Sequence, residues 1–148
     1  MCGFVGFTGH LVGGDEILKN MMDTIIHRGP DSAGTHIDSD VSLGFRRLSI
    51  IDLDSGTQPM YNETNDIVIV FNGEIYNYQE LKKDLIEKGH VFRNNSDTET
   101  LIHSYEEYGE AMLDRLRGMF AFVIWDGKKK KLFAARDFFG IKPFYYAL

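Results

Sequence analysis

An unbroken apolar run at residues 67–71 (IVIVF) constrains the fold of this chain more than any other sequence feature. Its β-branched composition predicts a strand that is buried on both faces. A second apolar run, at 119–125, leads into Asp126-Gly127 and then into residues 131–136. An Asp-Gly pair between two apolar runs is a strong signal for a β-hairpin. The sequence therefore predicts a buried sheet in this half of the chain.

Three further strands and three helices surround these runs. The strands are expected at 2–8, 33–38 and 41–48. The helices are expected to start near Asp15, Asn77 and Asp97, where apolar residues recur at helical spacing. This order of elements predicts an α+β domain of antiparallel sheets with helices on their outer faces.

Polar residues mark the expected helix ends. Asp15 can cap the first helix, and Asn77 with Glu80 resembles a capping box for the second. Gly89 and Gly109 are expected to end the second and third helices.

Composition excludes several function classes. The 148 residues suit one domain, and the formal net charge of −6 comes without a basic stripe, so no nucleic-acid partner is expected. No apolar stretch approaches transmembrane length, and the N-terminus lacks the pattern of a signal peptide. A single cysteine excludes an internal disulfide and fits a reducing compartment, so we expect the cytoplasm.

Metal and nucleotide sites are not expected within this chain. The 5 histidines are scattered without metal-ligand spacing. No phosphate-binding GxxxxGK[ST] motif occurs, which argues against a bound nucleotide. We therefore expect no metal and no cofactor in this domain.

Cys2, the only cysteine, directly follows the initiator Met1. Removal of Met1 would give one residue both a thiol nucleophile and an α-amino group, whose ordinary pKa of about 7.7–8.0 allows it to act as a base. The alternative is a small buried hydrophobe at the start of a strand, which is the usual fate of a free cysteine. Position alone favours that alternative.

Other candidate groups each carry an equally plain structural reading. Asn72-Gly73 could direct two N–H groups at one oxyanion, or could form a tight turn. Arg46-Arg47 could bind a carboxylate or form surface ion pairs. Asp97 could cap a helix or, with Glu74, accept hydrogen bonds from a substrate ammonium group.

Taken together, the chain resembles the N-terminal glutaminase domain of glutamine-hydrolysing asparagine synthetases, which are class II amidotransferases with an N-terminal nucleophile. The resemblance spans the whole chain and rests on stretches that occur in the family's order. They are MCGFVGF at 1–7, HRGPD at 27–31, RLSIID at 47–52 with QPM at 58–60, FNGEIYN at 71–77, SDTE at 96–99, GMFAFVIWD at 118–126 and RDFFGIKPFYY at 136–146.

The resemblance implies a role for each candidate. Cys2 would be the nucleophile and its amino group the base. The Asn72 side chain and the Gly73 N–H would form the oxyanion hole. Arg47 would hold the α-carboxylate of glutamine, and Glu74 and Asp97 its amino group. Arg46 falls outside the family pattern and is expected to be structural.

The resemblance also implies a fold and partners. The fold would be a four-layer αββα sandwich, in which two antiparallel sheets lie between helices. Residues 1–148 would be the glutaminase domain, cut at its C-terminus because the chain stops inside the apolar run 141–148. An ATP- and magnesium-dependent synthetase domain would be the missing partner, and glutamine the substrate. Open sheet edges would also allow a homodimer.

Two alternatives remain at this point. The ammonia could go to a different acceptor, as in related amidotransferases. Alternatively, the domain could be non-catalytic and only support a synthetase, although Cys2 argues against this reading.

Overall fold

The structure, a computed structural model, describes residues 2–48 and 57–148. Within these residues, seven strands form two antiparallel sheets. The first sheet has the order β1-β3-β2, and the second has the order β4-β5-β6-β7. The strands are β1 (Gly3–Thr8), β2 (Ser32–Ile37), β3 (Val41–Arg47), β4 (Met60–Tyr61), β5 (Ile67–Ile75), β6 (Gly118–Asp126) and β7 (Lys131–Arg136).

Among the described residues, three α-helices cover the sheets: α1 (Gly14–Thr24), α2 (Tyr78–Glu87) and α3 (Asp97–Tyr108). Two 3₁₀ segments, Ile26–Arg28 and Gly109–Arg115, follow α1 and α3. None of the helices in the described ranges is long and apolar enough to cross a membrane.

Strand β5 confirms the prediction made from the apolar run. Its side chains alternate between two cores, as the period of a strand requires. Val68 and Val70 pack between the two sheets, whereas Ile69 and Phe71 pack under the helices. All four are at most 3% exposed, so this strand is buried on both faces.

The layers follow from these two cores. Between the sheets, β3 contributes apolar side chains that meet those of β5 and β6. On the outer face of the first sheet, α1 buries Leu18 and Met22, and Gly44 of β3 allows the close approach because a Cβ there would overlap Met22. On the outer face of the second sheet, α3 buries Leu101 and Ile102. The four-layer αββα sandwich is confirmed.

The predicted helix caps are wrong in detail. Helix α1 starts at Gly14, after Gly13 at the cap position, and Asp15 lies in its first turn. Ser96, not Asp97, caps α3 by accepting a hydrogen bond from the Glu99 N–H.

The capping box at α2 is also absent, although Asn77 does occupy the cap position. Its side chain instead donates to the Arg115 carbonyl and accepts from the Arg117 N–H, both at 3.0 Å. Asn77 therefore ties the start of α2 to the segment that enters β6. Its local sequence gave no sign of this distant partner.

Candidate active site

Cys2 lies immediately before β1, at the end of the first sheet where Gly3 pairs with Arg46. Its side chain is half-buried, and its sulfur lies 3.5 Å from the Leu48 backbone nitrogen, which donates to it. The Cys2 carbonyl accepts a hydrogen bond from Arg28 Nε at 3.2 Å. The residue is therefore held from both its backbone and its side chain.

Arg28 is a site residue whose role was not recognised in the sequence. Gly3 lets its side chain come close, because a Cβ on Gly3 would lie 3.3 Å from Arg28 Cδ. Its Nη2 is buried, with no hydrogen-bond partner within the described ranges. The HRGPD stretch was the only available signal, and the structure shows that this segment supports the Cys2 backbone.

Asn72 and Gly73 lie within β5, so the tight-turn reading is wrong. By the alternation of the strand, Asn72 continues the row of Val68 and Val70 that faces the first sheet. It is only 6% exposed. Gly73 pairs with Phe120, and a Cβ there would overlap the Met119 carbonyl. Glycine is therefore required for β6 to lie this close.

A cavity of about 370 Å³ is lined by residues of both β1 and β5. Gly3 and Phe4 of β1 line one side, and Asn72 of β5 lines another. Arg28 and Phe144 also border it. Its volume lies in the range usual for small-molecule sites. The cavity begins at the residue that follows Cys2.

Glu74 and Asp97 come together where β5 ends and α3 begins. Asp97 Oδ2 accepts a hydrogen bond from the Ile75 N–H at 3.1 Å. Burial raises the pKa of Asp97 above the ordinary 3.8, and the nearby Glu74 charge adds to the increase, although the Ile75 hydrogen bond opposes it. Two neighbouring carboxylates of this kind are suited to a cationic group.

The two neighbouring arginines of β3 have different surroundings. Arg46 is structural, since its Nε donates to the Met22 carbonyl at 3.2 Å and its Nη2 contacts Asp23 at 2.5 Å. Arg47 is the half-buried last residue of β3, and its carbonyl accepts from the Asp31 N–H. It lies at the same end of the first sheet as Cys2. Residues 49–52 of the RLSIID stretch lie outside the described residues.

In the structure, the predicted site residues therefore fall into two groups. Cys2 and Arg47 lie at one end of the first sheet, and Asn72, Gly73 and Glu74 follow one another on β5 with Asp97 alongside. The cavity is lined by Asn72 of the second group and by Gly3, the residue that follows Cys2 of the first group. The catalytic role of each residue stays a prediction.

Comparison with known proteins identifies the family to which this chain belongs. The glutamine amidotransferase domain family matches residues 1–148. An asparagine synthetase (glutamine-hydrolysing) 1 of Bacillus subtilis is 51% identical over 99% of this chain, which spans 24% of that protein. An asparagine synthetase (glutamine-hydrolysing) 2 of Oryza sativa is 52% identical over 80% of the chain and 20% of its own length.

Solved structures show the same fold. A glutamine phosphoribosylpyrophosphate amidotransferase of B. subtilis, complexed with ADP and GMP, superposes with a TM-score of 0.74. The match covers 93% of this chain and 37% of that one, at 22% identity. Because the family model matches the whole chain, the chain belongs to the glutamine amidotransferase domain family.

Proposed function

We propose that this domain hydrolyses glutamine to glutamate and ammonia, with Cys2 as the nucleophile. The observation that carries the proposal is a cavity lined by Asn72 and by Gly3, the residue that follows Cys2. A half-buried thiol next in sequence to a cavity that a carboxamide also lines suits acyl transfer.

The first step requires the removal of Met1, which frees the Cys2 amine. The amine then takes the thiol proton, and the sulfur attacks the side-chain amide carbon of glutamine. The Asn72 carboxamide and the Gly73 N–H stabilise the oxyanion. One such donor contributes ~2.7–4 kcal/mol to the stability of the transition state.

The second step releases the products. The protonated amine returns its proton to the departing ammonia, and a γ-glutamyl thioester is left on Cys2. Water then attacks the thioester carbonyl and regenerates the thiol, which releases glutamate. All atoms balance with water as the only co-substrate.

Substrate specificity would come from the two ends of the site. Arg47 binds the α-carboxylate, because a guanidinium pairs with a carboxylate through two parallel hydrogen bonds. Glu74 and Asp97 bind the α-ammonium, which relieves the repulsion between their own charges.

The ammonia would serve asparagine synthesis from aspartate. The chain spans about a quarter of the Bacillus subtilis asparagine synthetase that it resembles. In the full-length protein, a synthetase domain using ATP and magnesium would take up the ammonia. A different ammonia acceptor is the alternative, and the level of identity to asparagine synthetases favours the first.

The test is glutamate release from glutamine by chain whose loss of Met1 has been verified by intact mass. We expect release by processed chain, and none by Cys2→Ala or by chain that retains Met1. Glutaminase activity that survives Cys2→Ala would overturn the assignment. A glutamine-analogue electrophile that fails to label Cys2 would favour the non-catalytic alternative.

A further inference from the structure

Two histidines and a glutamate meet on the side of the second sheet away from Cys2. His90 follows α2, and His103 and Glu106 lie one turn apart on α3. The two imidazole Nδ1 atoms are 3.3 Å apart, although the residues are 13 positions apart in sequence. The expectation of no metal site considered ligands that are close in sequence, so it did not test this combination.

The three ligand atoms are spaced close to the separations that a tetrahedral metal ion requires. Glu106 Oε2 lies 2.8 Å from His103 Nδ1 and 3.7 Å from His90 Nδ1. Zinc binds such atoms at about 2.0–2.2 Å, which places neighbouring ligands of a tetrahedron about 3.3–3.6 Å apart. Distances of 2.8–3.7 Å bracket that separation, so small side-chain shifts would complete the geometry.

The outer nitrogens of both rings face carboxylates. His90 Nε2 lies 3.3 Å from Glu107 Oε2, and His103 Nε2 lies 3.6 Å from Glu63 and 3.9 Å from Glu99. Histidines that bind metal usually direct the remote N–H at a carboxylate in this way. Protons on the two Nε2 atoms would leave both Nδ1 atoms, which lie 3.3 Å apart, able to bind one ion.

The glutamate is held in a matching way. Asn62 Nδ2 donates to Glu106 Oε1 at 2.9 Å, which leaves Oε2 directed at the two rings. Asn62 is only 5% exposed, and its side-chain Oδ1 accepts hydrogen bonds from the Asp66 and Ile67 N–H groups. The orientation of the ligand carboxylate is therefore fixed by β5 and the turn before it.

When each neutral ring carries its proton on Nε2, both Nδ1 atoms are acceptors, as is Glu106 Oε2, and none of the three finds a donor among the other two. A divalent ion satisfies all three atoms at once. His103 is buried, and the side chains of His90 and Glu106 are 17% and 20% exposed, which leaves a route for an ion from solvent.

We propose that His90, His103 and Glu106 form a binding site for a divalent transition-metal ion of the zinc class. The ligands are His90 Nδ1, His103 Nδ1 and Glu106 Oε2, and one coordination position stays open to solvent. Imidazole with carboxylate is a donor set that suits Zn²⁺ and Co²⁺. The ion would fasten the segment after α2 to α3, so its role is to stabilise the outer helical layer.

The experiment is a titration of the Cys2→Ala chain with Zn²⁺, followed by calorimetry and thermal unfolding. The Cys2→Ala background removes a thiol that could itself bind zinc. We expect one ion per chain and a rise in unfolding temperature that increases with zinc concentration. Co²⁺ should give the visible absorption bands of a four-coordinate site.

Variants identify the ligands. Loss of one outer-sphere partner typically weakens metal binding ~10–100-fold, so His90→Ala or Glu106→Gln should weaken it by at least about 100-fold. Glu107→Gln should weaken it by about 10-fold. The matched control is His10→Ala, a change at an exposed histidine, which should bind zinc as the parent does.

Two results would overturn the proposal. One is the absence of any zinc-dependent shift in the parent, which would leave the cluster as a hydrogen-bonded proton site. The other is binding that persists unchanged in both His90→Ala and Glu106→Gln. If His90→Ala fails to fold by circular dichroism, Glu106→Gln alone decides, because its side chain keeps the size and the Asn62 contact of the parent.

Discussion

Gln58 offers the sharpest test of how the fold supports Asn72. Its Oε1 accepts from the Phe71 N–H at 2.6 Å, and its Nε2 donates to the Phe71 carbonyl at 3.1 Å. Strand β4 pairs with β5 only at Ile69 and Val68. The Gln58 side chain therefore extends the ladder to the residue that precedes Asn72.

The expected cost of removing it follows from these two hydrogen bonds. Gln58 is 8% exposed, so Gln58→Met would leave the N–H and the carbonyl of Phe71 buried without partners. Each such group costs about 1–3 kcal/mol, so the free energy of unfolding should fall by about 2–6 kcal/mol. For a chain of this size, each kcal/mol corresponds to about 2–4 °C in unfolding temperature.

The assay is urea unfolding followed by the fluorescence of Trp125, which is 5% exposed and the only tryptophan. The matched control is Gln79→Met, which makes the same chemical change on an exposed turn of α2. That control should change stability by less than about 0.5 kcal/mol.

Loss of the Gln58 side chain should also affect catalysis. If Gln58 positions Asn72, folded Gln58→Met should lose kcat with little change in KM for glutamine, since oxyanion contacts act in the transition state. A Gln58→Met chain that matches Gln79→Met in both stability and kcat would refute the argument.

Three further predictions concern single side chains. Asn72→Ala should lower kcat about 10²–10³-fold in the glutaminase assay, and an unchanged kcat would remove Asn72 from the oxyanion hole. The pKa of Asp97 is raised above 3.8, so as the pH falls its carboxylate should be neutralised at a higher pH than an ordinary one. KM for glutamine should therefore increase as the pH is lowered, and the increase should begin before pH 3.8 is reached. Asp97→Asn should show a high KM that does not change over this pH range. The parent should lose stability as the pH rises from 3.8 through the raised pKa of Asp97, and Asp97→Asn should abolish that loss. Asp137 accepts from the N–H groups of Phe120, Ile141 and Lys142 at 2.8–3.2 Å. Asp137→Ala should therefore destabilise the chain in urea by about 3–9 kcal/mol, and a change below about 1 kcal/mol would contradict this.

The periodic parts of the chain could be predicted from the sequence. The apolar run in β5 and the Asp126-Gly127 hairpin signal are local, so each gave the correct element. The choice of a four-layer sandwich did not come from these patterns. It came from the resemblance, because several α+β arrangements fit the same order of elements.

The parts that sequence could not give depend on distant partners. Asn77 carries the pattern of a cap, yet it bonds Arg115 and Arg117, about forty residues away. Gln58 and Arg28 form hydrogen bonds with the backbones of Phe71 and Cys2, which lie in other segments of the chain. His90 and His103 come together only because α2 and α3 pack side by side.

The burial of β5 on both faces determines how the domain can partially unfold. The inter-sheet core and the helix-covered core both draw side chains from β5 and β6, so neither core can be lost while the other stays intact. Native-state hydrogen exchange should therefore show the amides of residues 68–71 and 121–124 exchanging last, and together. The first sheet contributes to only one of these cores. The amides of its edge strands, which include β1 directly after Cys2, can therefore exchange through local unfolding of smaller extent. Cys2, the proposed nucleophile, would then be more mobile than Asn72 and Gly73, the proposed oxyanion donors on β5.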